Sequence, residues 1–352
     1  MKKTFFILAA SALIAAACDK NGATSSNGKD TADVIPVSVS VKTGATKALA
    51  ASDAEYAVNS LHLFLYRVDN KGVKTFESYY DFSSSTNGGT IYIDSAKDAE
   101  SYILAAYANQ DMTEDAFMED WSSFSNESTS NFQMFGKTEV TRAKLESDKR
   151  IEVSLVRQCS KVTVNNIKTE WTNSANNFKE FRIKAMYLMD VEGVFKNLHD
   201  ITGTAANTPW LNKGGHTSVD HDAMLYDAIE ESNNGVVVSK DKPYSTKHVF
   251  YGYISALTNY TTDKNAQWVK NGTRLVIEAT LDGEECYYAV KINRENNPLT
   301  EIRNKHFIID NITIKTPGSS HPYEGTVDES DISVSVSVAE WDEVDKGDIV
   351  ID

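Results

Sequence analysis

The chain has 352 residues, with 35 Lys and Arg against 50 Asp and Glu, which gives a formal net charge of −15. This length predicts two domains of ordinary size, and 41% apolar with 24% charged residues is normal for a soluble globular protein. The negative charge argues against nucleic acid and anionic lipid surfaces as partners, because both attract basic surfaces. Short aromatic and β-branched runs, broken by Asn, Gly, Ser and Asp, favour strands over helices.

The N-terminus has the anatomy of an export signal. Lys2 and Lys3 form a basic region, and an apolar segment of 13 residues, 5–17, follows it. That segment is too short to cross a bilayer of about 30 Å as a helix, so residues 1–17 are predicted to be a signal peptide. Three alanines directly before Cys18 resemble the bacterial lipobox, which implies cleavage before Cys18 and acylation of its thiol. The alternative is an ordinary cleavage after Ala-x-Ala, with the cysteine incidental.

The segment 18–34 contains mainly Gly, Ser, Asn, Thr and charged residues, with almost nothing to bury. It is therefore predicted to be a flexible, lipidated tether. Because each buried CH2 of an acyl chain contributes about 0.8 kcal/mol, a multiply acylated Cys18 would hold the chain on a membrane.

After the tether, alternating apolar residues predict a series of short strands. Val37, Val39 and Val41 alternate with serines and carry the first strand. A polar, Asn-rich stretch at 171–179 marks the predicted boundary between domains at 35–172 and 173–352. Short helices are predicted within 48–59, 113–121 and 221–229. Further strands are predicted at 61–65, 90–93, 102–107, 151–156, 161–167, 181–189, 248–254, 274–281, 286–292 and 306–314.

The C-terminal region repeats the pattern of the first strand. A groove that accepts one of these segments could accept the other, because register and face follow from the period of two. The simpler alternative is that both strands pair within one sheet. The C-terminal residues with this pattern are Ile332, Val334, Val336 and Val338, and they are followed in an acidic context by Trp341, Val344, Ile349 and Ile351.

The run around Lys47 is predicted to be exposed. A trypsin-like cut between Lys47 and Ala48 would free the first strand, 35–47, and open both an edge and an apolar groove. A terminal strand from a second molecule could fill that groove by β-augmentation.

The sequence lacks the common catalytic motifs, namely HExxH, a glycine-rich phosphate loop and Gly-x-Ser-x-Gly. His216 and His221, with acids between and beside them, could bind a cation weakly, although a solvated loop is the simpler interpretation. Cys159 and Cys286 are predicted to be buried and reduced, since a disulfide would require adjacent strands. We therefore expect no enzyme activity, no cofactor and no metal.

Several short motifs follow one another along the chain after the tether. They are Thr46-Lys47-Ala48 before the run 61–66, the run 102–109 that ends in Ala108-Asn109, Phe132-Gln133-Met134-Phe135-Gly136, the runs 155–162, 187–191, 250–253 and 303–307, Tyr287-Tyr288, and the terminal alternation before Trp341. In this order they resemble the fimbrillins, or type V pilins, of the Bacteroidales, a family of major and minor fimbrial subunit proteins. Two positions depart from the family pattern. Ser160 replaces a usual Ala, and Lys47 stands where the family's best-known protease cuts after Arg.

The resemblance implies an all-β chain with two transthyretin-like β-sandwich domains in tandem. It further implies an outer-membrane lipoprotein precursor, cleavage after Lys47 by a trypsin-like protease, and a cell-surface fimbrium built by donor-strand exchange with other fimbrial subunits. Such a fimbrium would support adhesion and biofilm formation, with a host or bacterial surface as ligand. The alternative is a tip adhesin or glycan-binding lipoprotein, with Trp210, Tyr260 and Trp268 stacking on sugars from loops 197–213 and 257–270, although these aromatics could equally be core residues.

Overall fold

In the structure, a computed structural model, the regular elements are almost all β-strands. The structure describes residues 34–43, 54–83, 87–113, 121–171, 178–196, 210–217, 222–229, 234–255, 272–293, 302–322 and 332–340. No helix in these ranges is long and apolar enough to cross a membrane.

Within the described residues, the first half of the chain contains eight strands and one short α-helix. They are β1 (Val34–Thr43), β2 (Leu61–Val68), β3 (Lys74–Asp81), β4 (Gly88–Asp94), β5 (Ser101–Ala108), β6 (Trp121–Ser123), β7 (Met134–Thr141), α1 (Arg142–Asp148) and β8 (Arg150–Arg157).

The described residues of the second half form thirteen further strands and a single turn of α-helix. They are β9 (Ser160–Val164), β10 (Ile167–Thr169), β11 (Phe181–Met189), β12 (Val191–Glu192), β13 (Val194–Lys196), β14 (Trp210–Leu211), α2 (Asp222–Leu225), β15 (Tyr226–Ala228), β16 (Val236–Val237), β17 (His248–Gly252), β18 (Arg274–Leu281), β19 (Glu284–Lys291), β20 (Lys305–Ile314) and β21 (Ile332–Glu340).

Seven strands of the first half form one sheet in the order β3-β2-β5-β7-β8-β1-β4. The ladder between β7 and β8 is short, with Met134 opposite Arg157 and Phe135 opposite Val156. It divides the sheet into a layer of β3, β2, β5 and β7 and a layer of β8, β1 and β4. Leu63 from the first layer and Val37 and Ile91 from the second belong to the same buried cluster, so the two layers enclose a common core.

Two five-stranded sheets make up most of the second half, beside the two-stranded sheets β12-β14 and β13-β6. One has the order β17-β9-β20, with β21 on the outer edge of β20, and the other has the order β15-β11-β18-β19. Lys161 lies opposite His306 and Ile167 lies opposite Ile312, both in parallel pairing, so β9 and β10 run along the same edge of β20. The all-β class expected from the sequence is therefore confirmed.

Strand pairing changes partners abruptly between β8 and β9. Only Gln158 and Cys159 separate these strands, and both are buried. β8 pairs with strands of the first half, whereas β9 pairs with β17 and β20. The boundary near 172 predicted from the sequence thus falls after β10, and the division into two domains stays a prediction.

Several local predictions need correction. The run 161–167 is not one strand, because Asn165 and Asn166 interrupt it between β9 and β10. The helix predicted at 221–229 is limited to α2 and is followed by the strand β15. Trp121, predicted to end a helix, begins β6, while 114–120 lie outside the described residues. The two similar strands do not share a sheet, because β1 pairs with β4 and β8 whereas β21 pairs with β20.

The burial of β1 leads to a prediction about stability. Val37 is fully buried, whereas Val34 is 40% exposed. We expect Val37→Ala to lower the free energy of unfolding of the uncleaved chain by about 2 kcal/mol, because it removes buried apolar groups and leaves a cavity. Val34→Ala, as the matched control, should change it by about 0.5 kcal/mol or less. Urea unfolding measures both values, and equal effects would contradict the placement of β1 in the core.

Candidate functional site

The first strand lies between two partners. On one side it runs antiparallel to β4, with Ile35 opposite Ile93 and Val37 opposite Ile91. On the other side it runs parallel to β8, with Val39 opposite Ile151. A strand near the N-terminus of the chain is therefore the middle strand of its layer. We call the space that β1 occupies between β4 and β8 the first-strand slot.

The apolar and polar side chains of β1 lie on opposite faces of the strand. Val37 and Val39 are buried, at 0% and 3% exposure, and Ile35 and Val41 pack against the same core. Ser38 is exposed, as the alternation in the sequence predicts. Each valine that is fully buried contributes roughly 1.5–3 kcal/mol of hydrophobic stabilisation.

Pro36 is compatible with this central strand because of where β8 begins. The backbone N–H of Ser38 donates to the carbonyl of Lys149 at 2.9 Å, at the start of β8. Pro36 lies two residues earlier on the same side of β1, beyond the first residue of β8. Its missing N–H therefore leaves no gap in the ladder, which is the usual condition for proline in a sheet.

The slot is narrow on the β4 side. Gly88 has a φ of +112°, and a Cβ built there would collide with the carbonyl oxygen of Val39. Only glycine tolerates both this backbone conformation and this close approach. Among the described strands, β4 pairs with β1 alone. Removing β1 would therefore strip β4 of its ladder and uncover Ile91 and Ile151.

The strand β21 is held by fewer ladders than β1. Among the described strands it pairs only with β20, at the edge of its sheet. Its register places Val338 opposite Phe307 and Val336 opposite Ile309, and both partners on β20 are buried. Of the C-terminal residues singled out in the sequence, Trp341, Val344, Ile349 and Ile351 lie outside the described residues, as do Cys18, Lys47 and Ala48.

The strands β1 and β21 match in length and in residue order. β1 has 10 residues and β21 has nine. Residues 35–41 read Ile-Pro-Val-Ser-Val-Ser-Val and residues 332–338 read Ile-Ser-Val-Ser-Val-Ser-Val. They differ at one position, where Ser333 corresponds to Pro36. The sequence of β21 therefore has the same apolar alternation as the strand that occupies the first-strand slot.

A partly buried ion pair fixes the chain a few residues beyond Lys47. Residues Ala54–Tyr56 form one turn of 3-10 helix. The Glu55 carboxylate accepts hydrogen bonds from Lys161 Nζ at 2.7 Å and from the Tyr251 hydroxyl at 2.6 Å. Its backbone carbonyl accepts from Arg157 Nε at 2.8 Å, and the Arg157 guanidinium lies 4.2 Å from the centre of the Tyr56 ring. Glu55 thus connects the first half of the chain to β9 and β17.

A buried carboxyl group makes a second connection between the halves. Glu127 Oε1 accepts from the Tyr253 hydroxyl at 2.8 Å, and Oε2 accepts from the backbone N–H of Gln133 at 2.8 Å. Burial raises the pKa of Glu127 to about 8. The ring of Phe124 packs edge-on against Tyr253, and β6 pairs with β13 beside them. We call the contacts of Glu55 and Glu127 the joint.

Other residues singled out in the sequence occupy structural positions. His216 stacks on Tyr226, with ring centroids 4.0 Å apart. Cys159 and Cys286 are free and buried, and burial raises the pKa of both thiols. Within the described ranges, no group of three or more His, Cys, Asp or Glu side chains could hold a metal ion. Trp210 lies in β14, while Tyr260 and Trp268 are outside those ranges.

The joint was not apparent from the sequence. Glu55 and Glu127 are single acids without a motif, and their partners in the other half of the joint lie 102 to 196 residues away along the chain. Arg157 lies within one of the family-like motifs, but that motif gives no indication of its contacts with Glu55 and Tyr56.

The buried Glu127 predicts a pH-dependent stability. Its folded-state pKa of about 8 lies above the ordinary value of 4.5, so its contribution is greatest below pH 4.5 and is lost as the pH rises towards 8. We expect Glu127→Gln to raise Tm relative to the parent by an amount that grows between pH 5 and pH 8. The exposed Glu284→Gln is the control and should show no such trend. A Glu127→Gln effect that is independent of pH would contradict the raised pKa.

Comparison with known proteins gives a consistent result for the fold. No protein-family model matches the chain, and no curated protein sequence matches it. Three solved structures are similar over most of their length: a cell adhesion protein from Parabacteroides distasonis (16% identity, 88% of this chain and 100% of that chain, TM-score 0.55), one from Bacteroides eggerthii (17%, 88% and 95%, 0.54), and a fimbrilin from Porphyromonas gingivalis (14%, 87% and 97%, 0.54). The chain therefore has the fold of Bacteroidales fimbrilin and cell adhesion proteins, as the resemblance in the sequence implied.

Proposed function

We propose that this protein is a structural subunit of a surface fimbria, exported as a lipoprotein through Cys18 and polymerised by donor-strand exchange. The observation that carries the proposal is the position of β1. It is the first strand of the described chain, yet it lies in the middle of its layer. A cut after Lys47 removes such a strand without breaking the rest of the chain.

Loss of β1 leaves a site that favours another strand. β4 and β8 lose their shared ladder, and the apolar residues that faced Val37 and Val39 become exposed to water. Unpaired strand edges beside an apolar groove cost free energy until a strand fills the gap. A strand from a second subunit restores both ladders and the burial together.

The strand β21 has suitable properties to be that donor. It leaves one ladder when it departs from β20, and it gains two when it enters between β4 and β8 of a neighbour. Aligned by sequence, Ile332 takes the place of Ile35 and Val338 takes the place of Val41. The second possibility for the donated segment is 341–352, with Trp341, Val344, Ile349 and Ile351, while β21 stays on β20.

The Glu55 contacts have a role in this scheme. They anchor the turn Ala54–Tyr56, which begins six residues after Ala48 in the sequence. The departing peptide therefore includes β1 but not this turn. The mature subunit keeps its joint intact while the slot is empty.

The fold supports a structural role over an enzymatic one. The similar solved structures are named as fimbrial and cell adhesion proteins, and none of the three is named as an enzyme. We infer that the precursor resides on the outer membrane and that the mature protein belongs to a cell-surface fimbria. Its partners would be other fimbrial subunits, a trypsin-like protease and a surface ligand.

Limited proteolysis of a precursor that begins after Cys18 tests the proposal. We expect dilute trypsin to give a stable product with Ala48 as its N-terminus, and that product should form heat-resistant ladders on unboiled gels. Lys47→Gln should remain uncut and monomeric. A product that is cut at Lys47 but stays monomeric would overturn strand exchange and favour the tip adhesin or glycan-binding lipoprotein.

Two matched variants identify the donated segment. If β21 is donated, Val334→Asp should abolish the ladders of bands on unboiled gels, because it places a charge among residues that the slot buries. If only 341–352 is donated, Ile349→Asp should abolish them and Val334→Asp should not. Deletion of 332–352 should abolish them in either case, and ladders that survive this deletion would show that the donor lies elsewhere.

A further inference from the structure

The two outer strands of the seven-stranded sheet meet through side chains. β3 and β4 are the opposite ends of the strand order. The Tyr80 hydroxyl on β3 donates to the carbonyl oxygen of Tyr92 on β4 at 2.9 Å, and it accepts from the backbone N–H of Tyr92 at 3.0 Å. One hydroxyl therefore satisfies both backbone groups of a single residue.

Those two backbone groups are the ones that face away from β1. Tyr92 lies opposite Pro36 in the ladder between β1 and β4. At the end of this ladder the carbonyl of Asn87 accepts from the N–H of Val41, so the backbone groups of odd-numbered residues point towards β1. Backbone groups of consecutive residues point to opposite edges of a strand. Thr90, Tyr92 and Asp94 therefore present the outer edge of β4, with Tyr92 in the middle.

A second side chain packs on the core face of β4, next to this edge. A Cβ at Gly89 would collide with the ring of Phe82, so this ring lies directly against the backbone of β4. Tyr80 and Phe82 are stacked, with an interplanar angle of 8° and centroids 6.1 Å apart, and both pack against the core. The stacking holds the Tyr80 hydroxyl in position.

We propose that Tyr80 closes the outer edge of β4 to strands of other molecules, so that strand addition is directed to the first-strand slot. An incoming strand at the β4 edge would need the N–H and C=O of Tyr92, and the Tyr80 hydroxyl occupies both. Open strand edges are sites of unwanted association that proteins commonly block. The partner that Tyr80 excludes is a second copy of this chain, paired edge to edge through β4. This role of Tyr80 deepens the proposed function and rests on it.

The test uses the uncleaved precursor, in which β1 fills the slot. We expect Tyr80→Phe to convert the monomeric precursor into concentration-dependent dimers in sedimentation velocity. Under dilute, monomeric conditions, hydrogen exchange of the Tyr92 amide should become at least about tenfold faster, because the amide loses its acceptor. The control is Tyr79→Phe on the same strand, whose hydroxyl contacts His62 Nδ1 at 2.8 Å and the carbonyl of Met112 at 3.0 Å. It should leave both readouts unchanged.

A double variant separates edge pairing from misfolding. Tyr92→Pro removes the outward N–H, so Tyr80→Phe combined with Tyr92→Pro should return the precursor to a monomer. A Tyr80→Phe precursor that stays monomeric, or whose Tyr92 amide exchanges at the parental rate, overturns the proposal, as does a double variant that still dimerises. Failure of the proposed strand exchange would be recognised separately, because the parent protein would then be cut at Lys47 without forming ladders of bands on gels.

Discussion

The structure depends on one constraint, namely that a strand in the middle of a sheet must satisfy its backbone groups on both sides. In this protein β1 is such a strand, and it pairs with β4 on one side and with β8 on the other. The narrow approach at Gly88, the position of Pro36 before the start of β8, and the burial of Val37 and Val39 all follow from it. A molecule that loses β1 is incomplete, whereas one that loses an edge strand such as β21 forfeits only one ladder.

The two ends of the chain thus have unequal roles in stability. β1 contributes to the core of its layer and supports β4, which has no other ladder among the described strands. β21 carries almost the same sequence at an edge. In the proposed strand exchange this inequality supplies a direction, because such a strand gains two ladders between β4 and β8 and only one beside β20. The Tyr80 hydroxyl complements this arrangement, because it closes the outer edge of β4, where pairing with another molecule would not fill the first-strand slot.

Much of the strand content could be predicted, because half-buried strands keep a period of two that is visible in Val37 to Val41 and Ile332 to Val338. β3 was missed because its residues are half-exposed on both faces and do not alternate. The short helix α1 was missed because Leu145 is its only buried residue. The central place of β1 depends on β4 and β8, which are distant in sequence, and the joint depends on pairs such as Glu127 and Tyr253, 126 residues apart. Local patterns carry no information about such contacts.

The joint has a mechanical consequence. The two halves are connected by the buried residues Gln158 and Cys159 and by the contacts of Glu55 and Glu127, without an exposed linker between β8 and β9. Bending at this point would break hydrogen bonds that are buried or partly buried, so the two halves should move as one stiff unit. In the proposed fimbria, curvature under fluid drag would then arise between subunits, and the elasticity of the whole filament would be set by how firmly one donated strand holds its neighbour.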